Sequence, residues 1–251
     1  MRSVVIIPAR YQSSRFPGKP LVNLIGKPMI LWVCELSMKA VKKENVFVAT
    51  DDKRISEVVN AAGFKAIMTK KNCLTGTDRL AEAAKKVKAD IYINVQGDEP
   101  MVDPKDIISV IKEKELYYDE VINGYCSISK DEDHKNINIP KVIFTEKKHL
   151  VYMSRLAIPG FKDVINAPNR YYKQVCIYAF SAEELRIFSE YGKKSSLEVS
   201  EDIEIIRFLE FGKKIRMLET IPGSLAVDTI EDVSKVEKAL KELHNVKNRL
   251  D

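Results

Sequence analysis

Val4-Val5-Ile6-Ile7-Pro8-Ala9-Arg10-Tyr11-Gln12-Ser13-Ser14-Arg15-Phe16-Pro17-Gly18-Lys19-Pro20-Leu21 decides how the chain reads. Its opening apolar run is rich in β-branched residues and predicts a strand buried on both faces. A loop follows with three cations in ten positions, Arg10, Arg15 and Lys19. Pro17, Gly18 and Pro20 keep the end of that loop out of a helix. A strand that runs into a cationic loop is how an open α/β sheet offers a polyanion site at a strand's carboxyl end. Gly18-Lys19 is not a Walker A loop, because Pro20 follows and no glycine stands five residues earlier. A G-x-G-x-x-G turn is also absent, so side-chain cations must supply most of the anion binding. The alternative for the same residues is a solvated basic loop.

Outward from that stretch, strands and helices alternate. Asn45–Thr50 predicts a second strand, ending in Asp51-Asp52. Ile55, Val58, Val59 and Ala62 recur at helical spacing before Gly63, a helix stop. Lys65–Thr69 predicts a third strand, and Asp90–Val95 a fourth. Pro28 suits the first turn of a helix running to Met38. Leu80, Ala83, Ala84 and Val87 make another helix face, capped by Thr77 or Asp78. This alternation implies βαβ units and a mostly parallel sheet flanked by helices. Beyond about residue 115 the pattern becomes strand-rich, through 121–128, 141–144, 150–153 and 174–180. That predicts an antiparallel sub-lobe at roughly 118–180 within a single domain spanning 1–251. Helices are expected at 183–191 and 198–211, a strand at 215–221, and a last helix carrying Val233, Val236, Leu240 and Leu243.

The 251 residues are 45% hydrophobic and 31% charged, with a formal net charge of +5. That suits one large domain acting on an anionic small molecule. No basic block, zinc finger or RNA-recognition motif points to nucleic acid. No run approaches the ~20 apolar residues of a membrane span. Cys34, Cys73, Cys126 and Cys176 are scattered without a C-x-x-C, which argues for a reducing compartment and predicts a cytoplasmic protein.

Asp98 stands just past the fourth strand, in Asn94-Val95-Gln96-Gly97-Asp98-Glu99-Pro100. An acid there, beside a cationic loop, suits magnesium, which takes one or two carboxylates with phosphate oxygens and water. Capping of a following helix is the other reading. Asp228, in Val227-Asp228-Thr229-Ile230-Glu231-Asp232, reads by itself as part of a helix start. Glu198, Glu201, Glu204 and Arg207 fall three apart and read as a solvated Glu–Arg ladder. No Ser-His or Cys-His arrangement signals a covalent intermediate. Neither Asp51-Asp52 nor Asp98-Glu99 forms the D-x-D of a glycosyltransferase.

Taken together, I-P-A-R-Y at 7–11, S-S-R-F-P-G-K-P-L at 13–21, A-T-D-D at 49–52, G-T-D-R at 76–79, N-V-Q-G-D-E-P at 94–100 and V-D-T at 227–229 resemble the 3-deoxy-D-manno-octulosonate (Kdo) cytidylyltransferases. The resemblance spans nearly the whole chain and includes Ser154-Arg155 and the segment 197–207. It implies a nucleotide-diphospho-sugar transferase type of fold and the reaction of CTP with Kdo to CMP-Kdo and pyrophosphate. By resemblance, Arg10, Arg15 and Lys19 grip the triphosphate and Asp98 joins them in the chemistry. Ala9, Arg10, Gly76, Thr77 and Arg79 surround the nucleoside, and Gln96 stands between nucleotide and sugar. Arg155, Gln174, Tyr178 and Glu204 face the sugar, while Asp98 and Asp228 hold Mg²⁺. A homodimer is implied, with the sub-lobe at the subunit contact. The sugar side departs from the family. Gln174-Val175-Cys176-Ile177-Tyr178 stands where His-x-Gly-x-Tyr is usual, Glu204-Ile205 where Glu-Gln is usual, and Ser181 where an Arg closes the strand. Another acidic sugar, such as 8-amino-Kdo or a further ulosonate, is therefore an alternative acceptor. A CTP-binding homologue without catalysis is a second alternative.

Overall fold

A computed structural model describes residues 1–12, 16–223 and 225–247, with side chains through 242. Arg15 lies outside the described residues. The strands are β1 (Ser3–Ala9), β2 (Asn23–Leu24), β3 (Lys27–Pro28), β4 (Val46–Thr50), β5 (Lys65–Met68), β6 (Ile91–Val95), β7 (Val121–Ser127), β8 (Lys141–Phe144), β9 (Leu150–Ser154), β10 (Tyr172–Ser181) and β11 (Ile215–Glu219). The helices are α1 (Met29–Met38), α2 (Lys53–Ala61), α3 (Gly76–Ala84), α4 (Pro104–Leu116), α5 (Ala182–Glu190), α6 (Ser196–Glu201), α7 (Ile206–Glu210) and α8 (Ile230–Lys247).

The central sheet runs β5-β4-β1-β6-β10-β7-β11. β1 pairs in parallel with β4 and β6, β4 with β5, and β7 with β11. Only β10 runs against its neighbours β6 and β7 along this path. Of the stretch 118–180, β7 and β10 thus belong to the central sheet. β8 and β9 form an antiparallel pair that hangs on the start of β10. Val4 to Ile7 are fully buried, as a strand covered on both faces must be. Their side chains alternate between two core clusters, Val4 and Ile6 in one, Val5 and Ile7 in the other.

The reversed strand matters for the site. Ile177 lies opposite Val95, the last residue of β6. Residues 174–176 therefore lie beyond the carboxyl end of β6, on the edge where β1 and β6 also finish. A third cluster joins Leu24, Met29 and Trp32 to Val227, Val236 and Leu240. Burying Val227 contributes about 1.5–3 kcal/mol, and its N–H donates to the Asp98 carbonyl at 3.0 Å. These contacts carry the chain before α8 across to the end of β6.

Three expectations are corrected. The helix expected at 198–211 is two short helices, broken where Asp202 takes the left-handed conformation at φ 49°. Aspartate tolerates that region better than most residues. The solvated ladder is also wrong, because Glu198 and Arg207 are fully buried. Arg207 Nε and Nη2 donate to Glu198 at 2.6 and 2.7 Å, and Nη1 donates to Asp78 at 2.9 Å. The cap of α3 is neither Thr77 nor Asp78 but Thr75, whose hydroxyl accepts from Asp78 N at 3.1 Å.

Candidate active site

A cleft of about 750 Å³ opens at the carboxyl ends of β1 and β6. Ala9, Arg10, Lys19, Gly76, Arg79, Gln96, Asp98, Arg155, Gln174, Tyr178, Glu204 and Asp228 all line it, so the residues singled out from distant parts of the sequence meet in one place. Thr77 does not line the cleft. It is buried, and its N–H is spent on Glu204 Oε2 at 3.0 Å.

The loop after β1 closes through Gly18, whose N–H donates to the Tyr11 carbonyl at 2.8 Å and whose φ is +75°. The next turn aims Lys19 into the cleft. Its Nζ lies 2.5 Å from Asp98 Oδ2 and 3.8 Å from Asp228 Oδ1. Gly97 makes the approach of Asp98 feasible, because a Cβ there would stand 2.9 Å from the Pro8 carbonyl oxygen. Two carboxylates with an ammonium group against them form a pocket that already accommodates a cation. Divalent ions with phosphate oxygens need only one or two protein carboxylates, so Asp98 and Asp228 fit a magnesium ion.

On the α3 side of the cleft, Arg79 is almost fully buried. Its guanidinium donates to Thr69 Oγ1 at 2.6 Å, the Lys70 carbonyl at 3.3 Å and Asp51 Oδ2 at 3.1 Å. It ties the start of α3 to the ends of β4 and β5. Thr75 and Asp78 then lock that start reciprocally, the Thr75 hydroxyl donating to Asp78 Oδ2 at 2.7 Å.

Glu204 spans the middle. Its carboxylate accepts from Thr77 N and, at 3.3 Å, from Gln96 Nε2. Burial raises its pKa above the ordinary glutamate value. The other half is built on β10 and α6. Gln174 Nε2 donates to Asn123 Oδ1 and Tyr178 Oη, both at 3.2 Å. Asn123 is held by the Val175 and Ile177 carbonyls at the irregular stretch of β10. Arg155 donates from Nε to the Glu201 carbonyl at 2.5 Å, from Nη1 to Ile137 O at 3.0 Å and from Nη2 to Asp202 O at 3.0 Å. It thereby caps the carbonyls that the break after α6 sets free. Buried Lys141 donates to the carbonyls of Asn136 and Arg155 and steadies the same corner.

Cys73 and Cys176 also line the cleft. Burial pushes the Cys73 thiol up to about 11 and the Cys176 thiol higher still. Both remain protonated near neutral pH, so neither is a ready nucleophile. Ser181, where the family pattern has an arginine, caps α5 in a reciprocal box with Glu184. Sequence reasoning missed Thr75, Asn138 and Lys194. Thr75 carried a capping signal, Thr-x-x-Asp; Asn138 and Lys194 looked like ordinary surface.

A family model described as cytidylyltransferase matches residues 4–215. The 3-deoxy-manno-octulosonate cytidylyltransferase of Escherichia coli is 38% identical over 235 residues, 94% of each chain. That of Geobacter metallireducens is 40% identical over 252 aligned positions, covering 96% of this chain and 98% of the relative. A CMP:2-keto-3-deoxy-manno-octonic acid synthetase, solved in complex with CTP, superposes with a TM-score of 0.89 at 38% identity. The match covers 96% of this chain and 99% of that one.

Proposed function

The chain belongs to the 3-deoxy-manno-octulosonate cytidylyltransferase family, and from that premise we infer that it joins CTP and Kdo to give CMP-Kdo and pyrophosphate. The observation that supports this most is the meeting of Lys19, Asp98 and Asp228, 2.5 and 3.8 Å apart, from three segments remote in sequence.

In this reading Arg10 and Lys19, joined by Arg15, hold the triphosphate against the end of β1. Lys19 exchanges its carboxylate partners for phosphate oxygens. Asp98 and Asp228 hold magnesium, which when bound neutralises phosphate charge and favours ionisation of the attacking hydroxyl. The rigid start of α3, set by Arg79, Asp51 and the Thr75–Asp78 cap, receives the cytosine beside Ala9 and Gly76. Gln96 and Glu204 divide the nucleotide half from the sugar half. Arg155, Gln174 and Tyr178 orient Kdo so that its anomeric hydroxyl attacks the α-phosphorus in line with departing pyrophosphate. Cationic side chains stabilise charge on the transferring group, and no covalent enzyme intermediate is required.

We further propose a homodimer. Val151, Leu156, Phe161, Val164 and Ile165 are all exposed within fifteen residues of β9 and the loop after it. An apolar surface of this density favours burial against a second copy. Sedimentation velocity should show a dimer that Ile165→Lys weakens; a monomer at all concentrations would refute it. We propose a cytoplasmic location, which the four free thiols support. Among the described residues no helix is long and apolar enough to cross a membrane.

The decisive assay measures pyrophosphate release from CTP and Mg²⁺ with a panel of acidic sugars. Release with Kdo supports the reading. Release only with another ulosonate would transfer the acceptor assignment to that sugar, and CTP binding without turnover on any acceptor would leave a binding protein.

A further inference from the structure

One cation in the cleft has no part in the scheme above. Lys194, just before α6, lines the cleft in its sugar half together with Arg155 and Asp202. Its Nζ donates to Asp202 Oδ1 at 2.7 Å, and the side chains are 31% and 72% exposed. Asp202 is the left-handed residue that ends α6, and its carbonyl accepts from Arg155 Nη2 at 3.0 Å. One residue thus gathers the two cations that line the cleft here, Arg155 through its carbonyl and Lys194 through its carboxylate.

The two cations are held differently. Arg155 has three of its five N–H groups committed to backbone carbonyls at Ile137, Glu201 and Asp202. It is a fixed wall of positive charge. Lys194 is held by an exposed carboxylate, a pairing that contributes little and exchanges readily. Elsewhere in the cleft, Lys19 is paired with Asp98 at 2.5 Å, and Arg79 is spent on Asp51, Thr69 and Lys70. The acid in the middle of the cleft, Glu204, repels an incoming carboxylate when ionised. An acidic sugar entering this half therefore finds its most favourable charge on the side of Asp202.

We propose that Lys194 is a specificity-determining residue that binds the acceptor's carboxylate, with Asp202 as the internal stand-in that occupies it until the sugar arrives. This rests on the reading of the chain as a cytidylyltransferase for an ulosonic acid. Binding exchanges one carboxylate for another on the same ammonium group, while Arg155 keeps the corner in place. An acceptor without that charge cannot displace Asp202 and is disfavoured.

Steady-state kinetics on three variants tests the proposal. Lys194→Met should raise KM for Kdo by about 10–100-fold, the usual worth of a hydrogen bond to a charged group. KM for CTP should stay near wild type. Lys194→Arg should recover most of the loss. Asp202→Asn keeps a side chain that tolerates the left-handed backbone and releases Lys194, so KM for Kdo should fall. Opposite shifts in Lys194→Met and Asp202→Asn separate binding from a structural salt bridge, whose loss from either end would act in the same direction. The wild type should also prefer Kdo over its C1 carboxamide, and Lys194→Met should erase that preference. Same-direction shifts, or an unchanged KM for Kdo in Lys194→Met, would overturn the role of Lys194 alone. Failure of the wild type to turn over Kdo would overturn the underlying reading as well.

Discussion

Replacing Arg207 with methionine tests how the two halves of the cleft are joined. The guanidinium is fully buried, between Glu198, whose side chain is 1% exposed, and Asp78, at 13%. It also lies over the Phe188 ring at 3.7 Å. Methionine fills much of the volume but leaves two carboxylates without their counter-charge. Breaking a buried pair from one side costs about 3–5 kcal/mol. For a domain of this size each kcal/mol is worth about 2–4 °C, so the melting temperature should fall by about 6–20 °C. Asp78 also holds Thr75, so the start of α3 should loosen and KM for CTP should rise. Calorimetry and urea titration measure the stability, and steady-state kinetics the second effect. Adding Glu198→Gln should cost less than the sum of the two single changes, because the orphaned charge disappears with its partner. A loss below about 1 kcal/mol in Arg207→Met is what an exposed ladder would give, and it would refute the claim that this triad locks the site.

Further outcomes are expected at the cleft. Asp98→Asn should lower kcat by more than about 100-fold, since changes even one shell out from a metal cost ~10–100-fold, with CTP binding affected less; full turnover would remove the metal role. Lys19→Ala should raise KM for CTP, measured in the same assay, and unchanged constants would contradict its grip on the triphosphate. Glu204 has a folded pKa raised above 4.5 by burial. The folded state therefore keeps a proton that the unfolded chain releases, and stability falls as pH rises from 4.5 through the raised value. Melting curves of Glu204→Gln should gain on wild type across that window; a pH-independent gap would show that the carboxyl is not titrating as described.

Much of this was legible where local chemistry and fold agree. The buried β-branched run of β1, the acids past β4 and β6, and the cations after β1 sit where an open parallel sheet puts its ligand site. Helix α4 was overlooked, although Asp103 caps it, Pro104 opens it, and Ile107 and Val110 form its buried face. The break at Asp202 had no local signal, because apolar spacing continues through Ile203, Ile206 and Leu209; Arg155, remote in sequence, stabilises the freed carbonyls. The burial of Arg207 was hidden for the same reason. A charge at helical spacing reads as solvent-facing until a partner such as Asp78 arrives from another segment. Asp228 looked like a helix-start residue, and only the packing of Val227 on Met29 and Trp32 delivers it to Asp98. Gln174 and Ser181 illustrate substitution with re-use: one hydrogen-bonds Asn123 and Tyr178, the other caps α5.

The central claim is that Lys19, Asp98 and Asp228 converge on one nucleoside triphosphate and its divalent ion. A crystal structure with CTP and Mn²⁺ in place of Mg²⁺ tests it directly through the anomalous signal of the metal. The account predicts manganese bound by Asp98 and Asp228 against the triphosphate, with Lys19 moved from the carboxylates onto a phosphate oxygen. Manganese bound elsewhere, or a triphosphate lying away from Lys19, would contradict it.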